Sequence, residues 1–308
     1  VLYQNLIPVF ADVDPNTYNI TAESIEKVLT DRTRAVIVVH LAGNPCDMDP
    51  IVELARKHHL LLIEDCAQAY GAVYKNRFAG TIGDIGAFSL NESKHLSSGD
   101  GGFIITDNED YYVRCHNYMD KYYDRLHKGG RLEHLAPCYR ASELQYGVAK
   151  AQFGRLDDLL ARRRRFAGIL SEGLQGIADI TLPKVVEGAV SSWWFYMFRL
   201  TPGAFEGEGQ RFAEAMRAEG CFALAGYIPR PIYREPLFAE KSFFPGNVWP
   251  AEIVSGRTYS YPAGLCPVAE EVLSSAIRLP VSEFYTDQDA EDMVRAVRKV
   301  ASGLRRKA

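Results

Sequence analysis

Short apolar runs alternate with helical periodicities along the first third of the chain. AVIVV at 35–39 is a continuous apolar run, as expected of a strand buried on both faces of a sheet, and LLLIE at 60–64 is a second. Between them Asp49-Pro50 opens a helix, a capping side chain followed by proline in the first turn, with Ile51, Leu54, Ala55 and His58 on one face. IPVFAD at 7–12 reads as an earlier strand, and Thr21 caps a helix running towards Leu29. Strand–helix–strand–helix–strand order with right-handed crossovers predicts an α/β fold, a mainly parallel central sheet flanked by helices. GAFSL (86–90) and FIIT (103–106) are further strands, with Gly99, Gly101 and Gly102 forming a hairpin turn before the second.

From 140 onward helices dominate. Gln145 to Leu174 reads as one long helical segment, and its run Arg162–Arg165 as a solvated helix face, with a partner contact or an anionic-substrate contact as the alternatives. The character then changes: a strand WWFYMFRL (193–200), a helix near 209–219, a loop rich in Pro, Tyr and Phe (227–262) and a final helix (287–304) predict a smaller α+β domain. The expected division is a large domain over 1–175 and a smaller C-terminal domain over 176–308. The cluster Trp193, Trp194, Phe195 and Tyr196 is expected in the core of the smaller one.

Composition narrows the function. With 308 residues, 47% of them hydrophobic, the chain can bury a large core. A formal charge of -4 does not fit a protein that coats duplex nucleic acid, which needs a basic excess to displace counterions. No apolar run approaches the ~18 residues of a membrane span. The first residues show no basic region followed by an apolar one, so no signal peptide is expected. Six cysteines without a CxxC pair predict reduced thiols and a cytoplasmic setting. Seven histidines without HExxH give no reason to expect a metal. His40, after the AVIVV strand, is expected to pack or bond backbone.

The candidate chemistry lies at strand ends. Asp65 follows LLLIE, and ligands of parallel sheets sit at the carboxyl ends of strands. An acid there caps the next segment or pairs with a protonated ligand nitrogen, which would keep it ionised despite burial. Ser89 ends the next strand and Lys94 lies five residues later in a polar loop. A lysine in a loop is ordinarily a solvated charge. Held at a sheet's carboxyl edge it loses solvation and acidifies, and becomes an amine able to form a Schiff base. A carboxylate for a pyridinium nitrogen, a hydroxyl for a phosphate and a lysine for an aldehyde together match what pyridoxal 5'-phosphate requires.

These segments resemble the DegT/DnrJ/EryC1/StrS family of aminotransferases that act on keto-sugars and cyclitols. The likeness is borne by PVFADVDPNTYNI (8–20), TRAVIVVHLAGNPCDMDPI (33–51), IEDCAQAYGAVY (63–74), GTIGDIGAFSLNESKHLSSGDGGFIIT (80–106) and YRASELQ (139–145), and more loosely by SSWWFYMFRL and IPRPIY. The resemblance implies the PLP-dependent transferase fold type I and a homodimer whose sites are completed across the interface. By position, Asp65 resembles the partner of the pyridine nitrogen, Gln68 the residue near the ring's 3-hydroxyl, Ser89 a phosphate ligand and Lys94 the Schiff-base lysine. Asn91 stands where the family often has His or Gln, and the loop is more similar to the Gln-bearing branch that includes cyclitol enzymes. The retained lysine separates the chain from a subgroup that lacks it and removes hydroxyls from sugars. The implied reaction moves an amino group from glutamate or glutamine to a keto-sugar or keto-cyclitol.

Two departures from the family stand out. Its members usually begin well before this chain does, and that stretch holds a Gly-Thr/Ser-Ala turn for the phosphate and an aromatic that stacks on the ring. Either the sequence is part of a longer chain or the protein is incomplete as a catalyst. Cys138 replaces an Asn that usually reaches the neighbouring subunit's phosphate, leaving Tyr139 or Arg140 for that contact. A non-catalytic relative kept for assembly or regulation is one alternative. An NAD(P)-dependent Rossmann enzyme is another, but no GxGxxG follows the first strand.

Overall fold

The computed structural model describes residues 1–126 and 134–306. The strands are β1 (Ala35–Val39), β2 (Leu61–Asp65), β3 (Val73–Tyr74), β4 (Arg77–Phe78), β5 (Ile85–Ser89), β6 (Gly102–Ile105), β7 (Ile180–Thr181), β8 (Ala189–Val190), β9 (Phe195–Leu200), β10 (Leu224–Ala225) and β11 (Ala276–Pro280). The helices are α1 (Ala22–Glu26), α2 (Met48–Lys57), α3 (Glu109–Tyr118), α4 (Glu143–Phe153), α5 (Leu156–Leu174), α6 (Glu208–Ala218), α7 (Pro236–Ala239), α8 (Pro250–Ser255), α9 (Pro267–Ser275) and α10 (Asp287–Leu304). No described helix is long and apolar enough to cross a membrane.

The central sheet has the order β1-β2-β5-β6. Its first three strands are parallel and β6 returns antiparallel to β5. The register pairs Val39 with Asp65, Asp65 with Ala87 and Ser89 with Gly102. Parallel strands in this register end on one rim, so Asp65 and Ser89 come to the same edge of the sheet. Thr21 caps α1 through a reciprocal box with Ser24. Val36, Val38 and Leu62 pack with Ile25, Ile51 and Leu54 beneath α1 and α2.

A second sheet, β10-β11-β9-β7, is entirely antiparallel. Its strands Phe195–Leu200 and Ala276–Pro280 bury Tyr196, Phe198, Ile277 and Leu279 against Phe212 of α6 and Val297 of α10. The same core takes Phe166, Leu170 and Leu174 from α5. The start of α5 instead packs through Leu156 against Tyr70 and Leu90, in a separate small cluster beside β5 and β6. This helix is therefore shared between the second core and that cluster, and the expected 175/176 division falls just past its end.

Several expectations change in the structure. Residues 7–12 form no strand; Asp12 instead accepts the N–H groups of Val268 and Ala269 at the start of α9, and Phe10 packs among Tyr233, Phe238 and Tyr261. The N-cap of α2 is Asp47, and the Asp49 carboxylate turns away to Lys75 and Arg77. The AVIVV run is apolar on both faces but covered on one, with Ile37 and Val39 facing outward. The single helix expected over 145–174 breaks at Gly154-Arg155 into α4 and α5. The arginine run is not simply a solvated face. Arg163 turns inward to Glu283 (2.8 Å) and the Val281 carbonyl, and Arg164 to the carbonyls of Ser191 and Gly71.

Candidate active site

β2 and β5 deliver two side chains to the rim. Alternation along β2 turns adjacent carboxylates to opposite faces. Glu64 points into the interior, where it accepts N–H bonds from Gly80, Ile82 and Gly83 at 2.6–2.7 Å and faces His40 Nε2 at 2.9 Å. The Cys46 N–H donates to His40 Nδ1, so His40 Nε2 carries the hydrogen it gives Glu64. Burial alone would raise the Glu64 carboxyl, yet these donors hold it below the ordinary value. His40 thus bonds backbone and braces β2. Among the described residues the atoms of His40, Glu64 and Cys66 are close enough to share a metal, but the His40 and Glu64 donors are spent on one another and on backbone.

Asp65 stands on the other face, half-buried. Its Oδ1 accepts the Ala67 N–H at 3.0 Å, and its second oxygen has no hydrogen bond among the described residues. Gln68, buried in the following turn, accepts the Ala42 N–H on Oε1 (2.8 Å) and donates from Nε2 to the Tyr227 hydroxyl (2.9 Å). These bonds fix the amide while one Nε2 hydrogen stays free. Ser89 at the end of β5 accepts the Asn91 N–H on its hydroxyl oxygen, which leaves the O–H available to donate.

The chain from 90 to 101 is the connection between antiparallel β5 and β6, and it holds Lys94. The Asn91 side chain accepts from the Ser93 N–H and hydroxyl, closing an Asn-led turn ahead of the lysine. Lys94 is half-buried. Its Nζ lies 4.1 Å from the centroid of the Trp194 ring. Burial lowers its pKa, and the Asp65 charge opposes that fall only in part. The next residue, His95, is buried and hydrogen-bonded through Nε2 to the Ser192 carbonyl; burial drives its pKa down to about 3, so the imidazole is neutral.

The second sheet completes this cluster. Ser192 and Trp194 donate their backbone N–H groups to Gly43 and Ala42 in the loop after β1, and this pairing brings Trp194 over Lys94. Gly43 has φ +84, and a Cβ there would meet Ser192 Oγ at 2.3 Å, so only glycine fits the crossing. The expectation that all four residues 193–196 are core holds for Phe195 and Tyr196, whereas Trp194 is a partly exposed member of the site. Tyr227, absent from the sequence reading, joins through its bond to Gln68. No local signal distinguishes it from its aromatic-rich loop.

Asp65, Gln68, Ser89, Asn91 and Lys94 are therefore brought to one rim. Tyr139 and Arg140 are not joined to them by any hydrogen bond or ion pair among the described residues. Tyr139 is exposed, and Arg140 is bound to buried Asp120 at 3.2 Å, beside Lys121 and Arg125.

Comparison with known proteins identifies the family. The chain is 34% identical to a putative L-glutamine:3-amino-2,3-dideoxy-scyllo-inosose aminotransferase of Micromonospora echinospora, over 99% of this chain and 73% of the relative. It is 33% identical to a UDP-N-acetyl-3-dehydro-alpha-D-glucosamine 3-aminotransferase of Acidithiobacillus ferrooxidans, over 98% of this chain and 74% of the relative. Its fold matches the X-ray structure of an aminotransferase from Psychrobacter cryohalolentis with a TM-score of 0.82 at 29% identity, covering 96% of this chain and 76% of that one. The family model of the DegT/DnrJ/EryC1/StrS aminotransferases matches residues 1–298, and the chain belongs to that family.

Proposed function

We propose that this protein is a pyridoxal-phosphate-dependent aminotransferase that moves an amino group from glutamate or glutamine to a keto-cyclitol or keto-sugar. The observation that carries the reading is the half-buried, acidified Lys94 on the Trp194 ring, close enough to feel the charge of Asp65, a carboxylate with a free oxygen. The residues fit the cofactor. Asp65 offers an acceptor for a protonated ring nitrogen, Gln68 an N–H for a ring oxygen, Ser89 a hydroxyl for a phosphate oxygen and Lys94 an amine for the aldehyde. Pyridoxal phosphate, when bound, supplies an aldehyde for the donor amine and a cationic ring that draws electrons from the donor's α-carbon.

The protein's own groups do the rest. Asp65 keeps a proton at the ring nitrogen and so sustains the ring's cationic form. Lys94 Nζ, made a weaker base by burial, would take the proton from the donor's α-carbon and return it across the amine nitrogen, to the carbon that was the cofactor's aldehyde. The second half of the cycle runs in the opposite sense onto the ketone. Gln68, locked by Ala42 and Tyr227, would offer its remaining N–H to a ring oxygen. Residues 1–175 hold the cofactor and 176–308 close the cleft with Trp194 and Tyr227.

The reading extends to assembly. Every residue of α4 is at least partly exposed; Leu144 and Val148 share one open apolar side of the helix, and Tyr146 and Phe153 lie on the opposite side. A homodimer would cover it and offer Tyr139, Arg140 or Asn91 to substrate. Six free cysteines support a reducing, cytoplasmic setting. The test is a half-reaction screen: the donor-loaded protein is mixed with keto-cyclitols and with nucleotide-linked keto-sugars, and recovery of the cofactor's visible absorbance is followed. Recovery with cyclitol ketones supports the cyclitol branch; recovery only with nucleotide-linked sugars moves the acceptor to the other class; none with any ketone refutes the reading.

A further inference from the structure

We propose that Asn19 is a positioning residue for the cofactor site: its buried amide keys the 41–44 loop, and that loop sets the direction of the Gln68 side chain. What Gln68 does at the ring rests on the transaminase reading above.

Asn19 is 2% exposed and ends a turn that is built from its own residues. The Asp14 carboxylate accepts the N–H groups of Asn16 and Thr17, and the Tyr18 N–H donates to the Asp14 carbonyl. The Asp14 N–H returns to the Asn19 carbonyl, and a short bridge between Val13 and Ile20 closes the turn. The Asn19 side chain is therefore aimed by a braced backbone. Its Oδ1 accepts the Leu41 N–H at 3.0 Å, and its Nδ2 donates to the Asn44 carbonyl at 2.8 Å. One amide thus holds both ends of a four-residue loop.

The loop needs that hold. Ala42 has φ 57 and Gly43 has φ +84, two consecutive left-handed residues, and alanine stays in that conformation only where its surroundings enforce it. The middle of the loop is spent on the site. The Ala42 N–H goes to Gln68 Oε1 at 2.8 Å, and the Ala42 carbonyl accepts the Trp194 N–H. Fixing Oε1 fixes where Nε2 points: one hydrogen goes to the Tyr227 hydroxyl and the other is left free. A loop released at Leu41 and Asn44 would let Ala42 move and the Gln68 amide turn with it. Only a group that donates and accepts at once can hold both ends, which an amide does and an ionised carboxylate does not.

The experiment reads hydrogen exchange and cofactor titration together. In the cofactor-free protein Asn19→Ala should speed exchange of the Leu41 and Ala42 amides by about tenfold or more, while amides of α10 keep wild-type rates and report an intact fold. Titration with pyridoxal phosphate, followed by visible absorbance, should show half-saturation raised about 3- to 10-fold, as for one misplaced hydrogen bond. In a Gln68→Ala background the same substitution should add less than about twofold, because the amide it sets is gone. Asn19→Asp is the second variant should Asn19→Ala fail to fold. Its ionised carboxylate cannot donate to Asn44, whereas the protonated acid offers one donor and one acceptor, as the amide does. The ratio of its half-saturation to that of wild type should fall towards one as pH is lowered from about 8 to about 5.5. Unchanged Ala42 exchange in Asn19→Ala, unchanged half-saturation despite faster exchange, a full effect persisting without Gln68, or a pH-independent ratio for Asn19→Asp overturns the assignment. A wild type that binds no cofactor, with Ala42 exchange still dependent on Asn19, refutes the transaminase reading and keeps Asn19 as the residue that sets Gln68.

Discussion

The Lys94 ammonium lies 4.1 Å from the centroid of the Trp194 ring, and the same indole spends its N–H on the carbonyl of Ser93 at 2.8 Å. One side chain thus holds both the lysine and the turn that presents it. The ring face favours the charged amine, and burial works against it by lowering the lysine's pKa. Trp194→Leu removes both contacts and should raise the pyridoxal phosphate concentration for half-saturation about tenfold, with Trp194→Phe in between. Cofactor titration by visible absorbance measures this, and a wild-type curve for Trp194→Leu would show that the indole does not position Lys94.

Asp65→Asn keeps the shape at the rim and the bond to Ala67 but cannot hold a proton on a ring nitrogen. Turnover is expected to fall by about 100-fold or more while cofactor is retained. Parallel assays of amino transfer and bound cofactor check it, and full activity in the amide variant would remove Asp65 from the mechanism.

His95 makes stability depend on pH. Its pKa is about 3 when folded against 6.5 for the free side chain, because burial excludes the charged ring. Between those values the unfolded chain binds the extra proton. The contribution is therefore complete above pH 6.5 and is lost as pH falls towards 3, at up to about 1.4 kcal/mol per pH unit. Urea unfolding at pH 6.5 and pH 5 should show a smaller loss for His95→Gln, whose amide can still donate to Ser192. Equal losses in both proteins would mean the imidazole is not kept neutral by the fold.

Gly43→Ala forces a side chain onto a backbone at φ +84 and into Ser192 Oγ, with Gln68 O and Trp193 N each at 2.9 Å. The left-handed backbone alone costs roughly 1–3 kcal/mol, to which the clash adds. The unfolding midpoint should drop, and cofactor affinity with it, since the crossing at Gly43 seats both Gln68 and Trp194. A variant as stable as wild type would show that the crossing can relax.

The first sheet was legible because its strands are uniform apolar runs ending in Asp65 and Ser89, and a local motif therefore named the five candidate residues that the fold brings to one rim. The second sheet's share was not legible. Trp194 looks like a core residue in WWFYMFRL, and only its pairing with Ala42 turns it to the site. Tyr227 and Gln68 are far apart in sequence and meet only in the fold, which no single segment encodes. The arginine run misled for a related reason: helical spacing shows which residues share a face, not that Glu283 and two loop carbonyls lie opposite it. IPVFAD is a short apolar run like a strand, but Asp12 is claimed by a helix start 256 residues away.

The most direct measurement is reductive trapping. The protein is saturated with pyridoxal phosphate, reduced with borohydride, digested and mapped by mass spectrometry. The cofactor mass is expected on the peptide containing Lys94, with no labelling and no colour in Lys94→Ala. Label on a different lysine, or none at all in the wild type, would contradict the account.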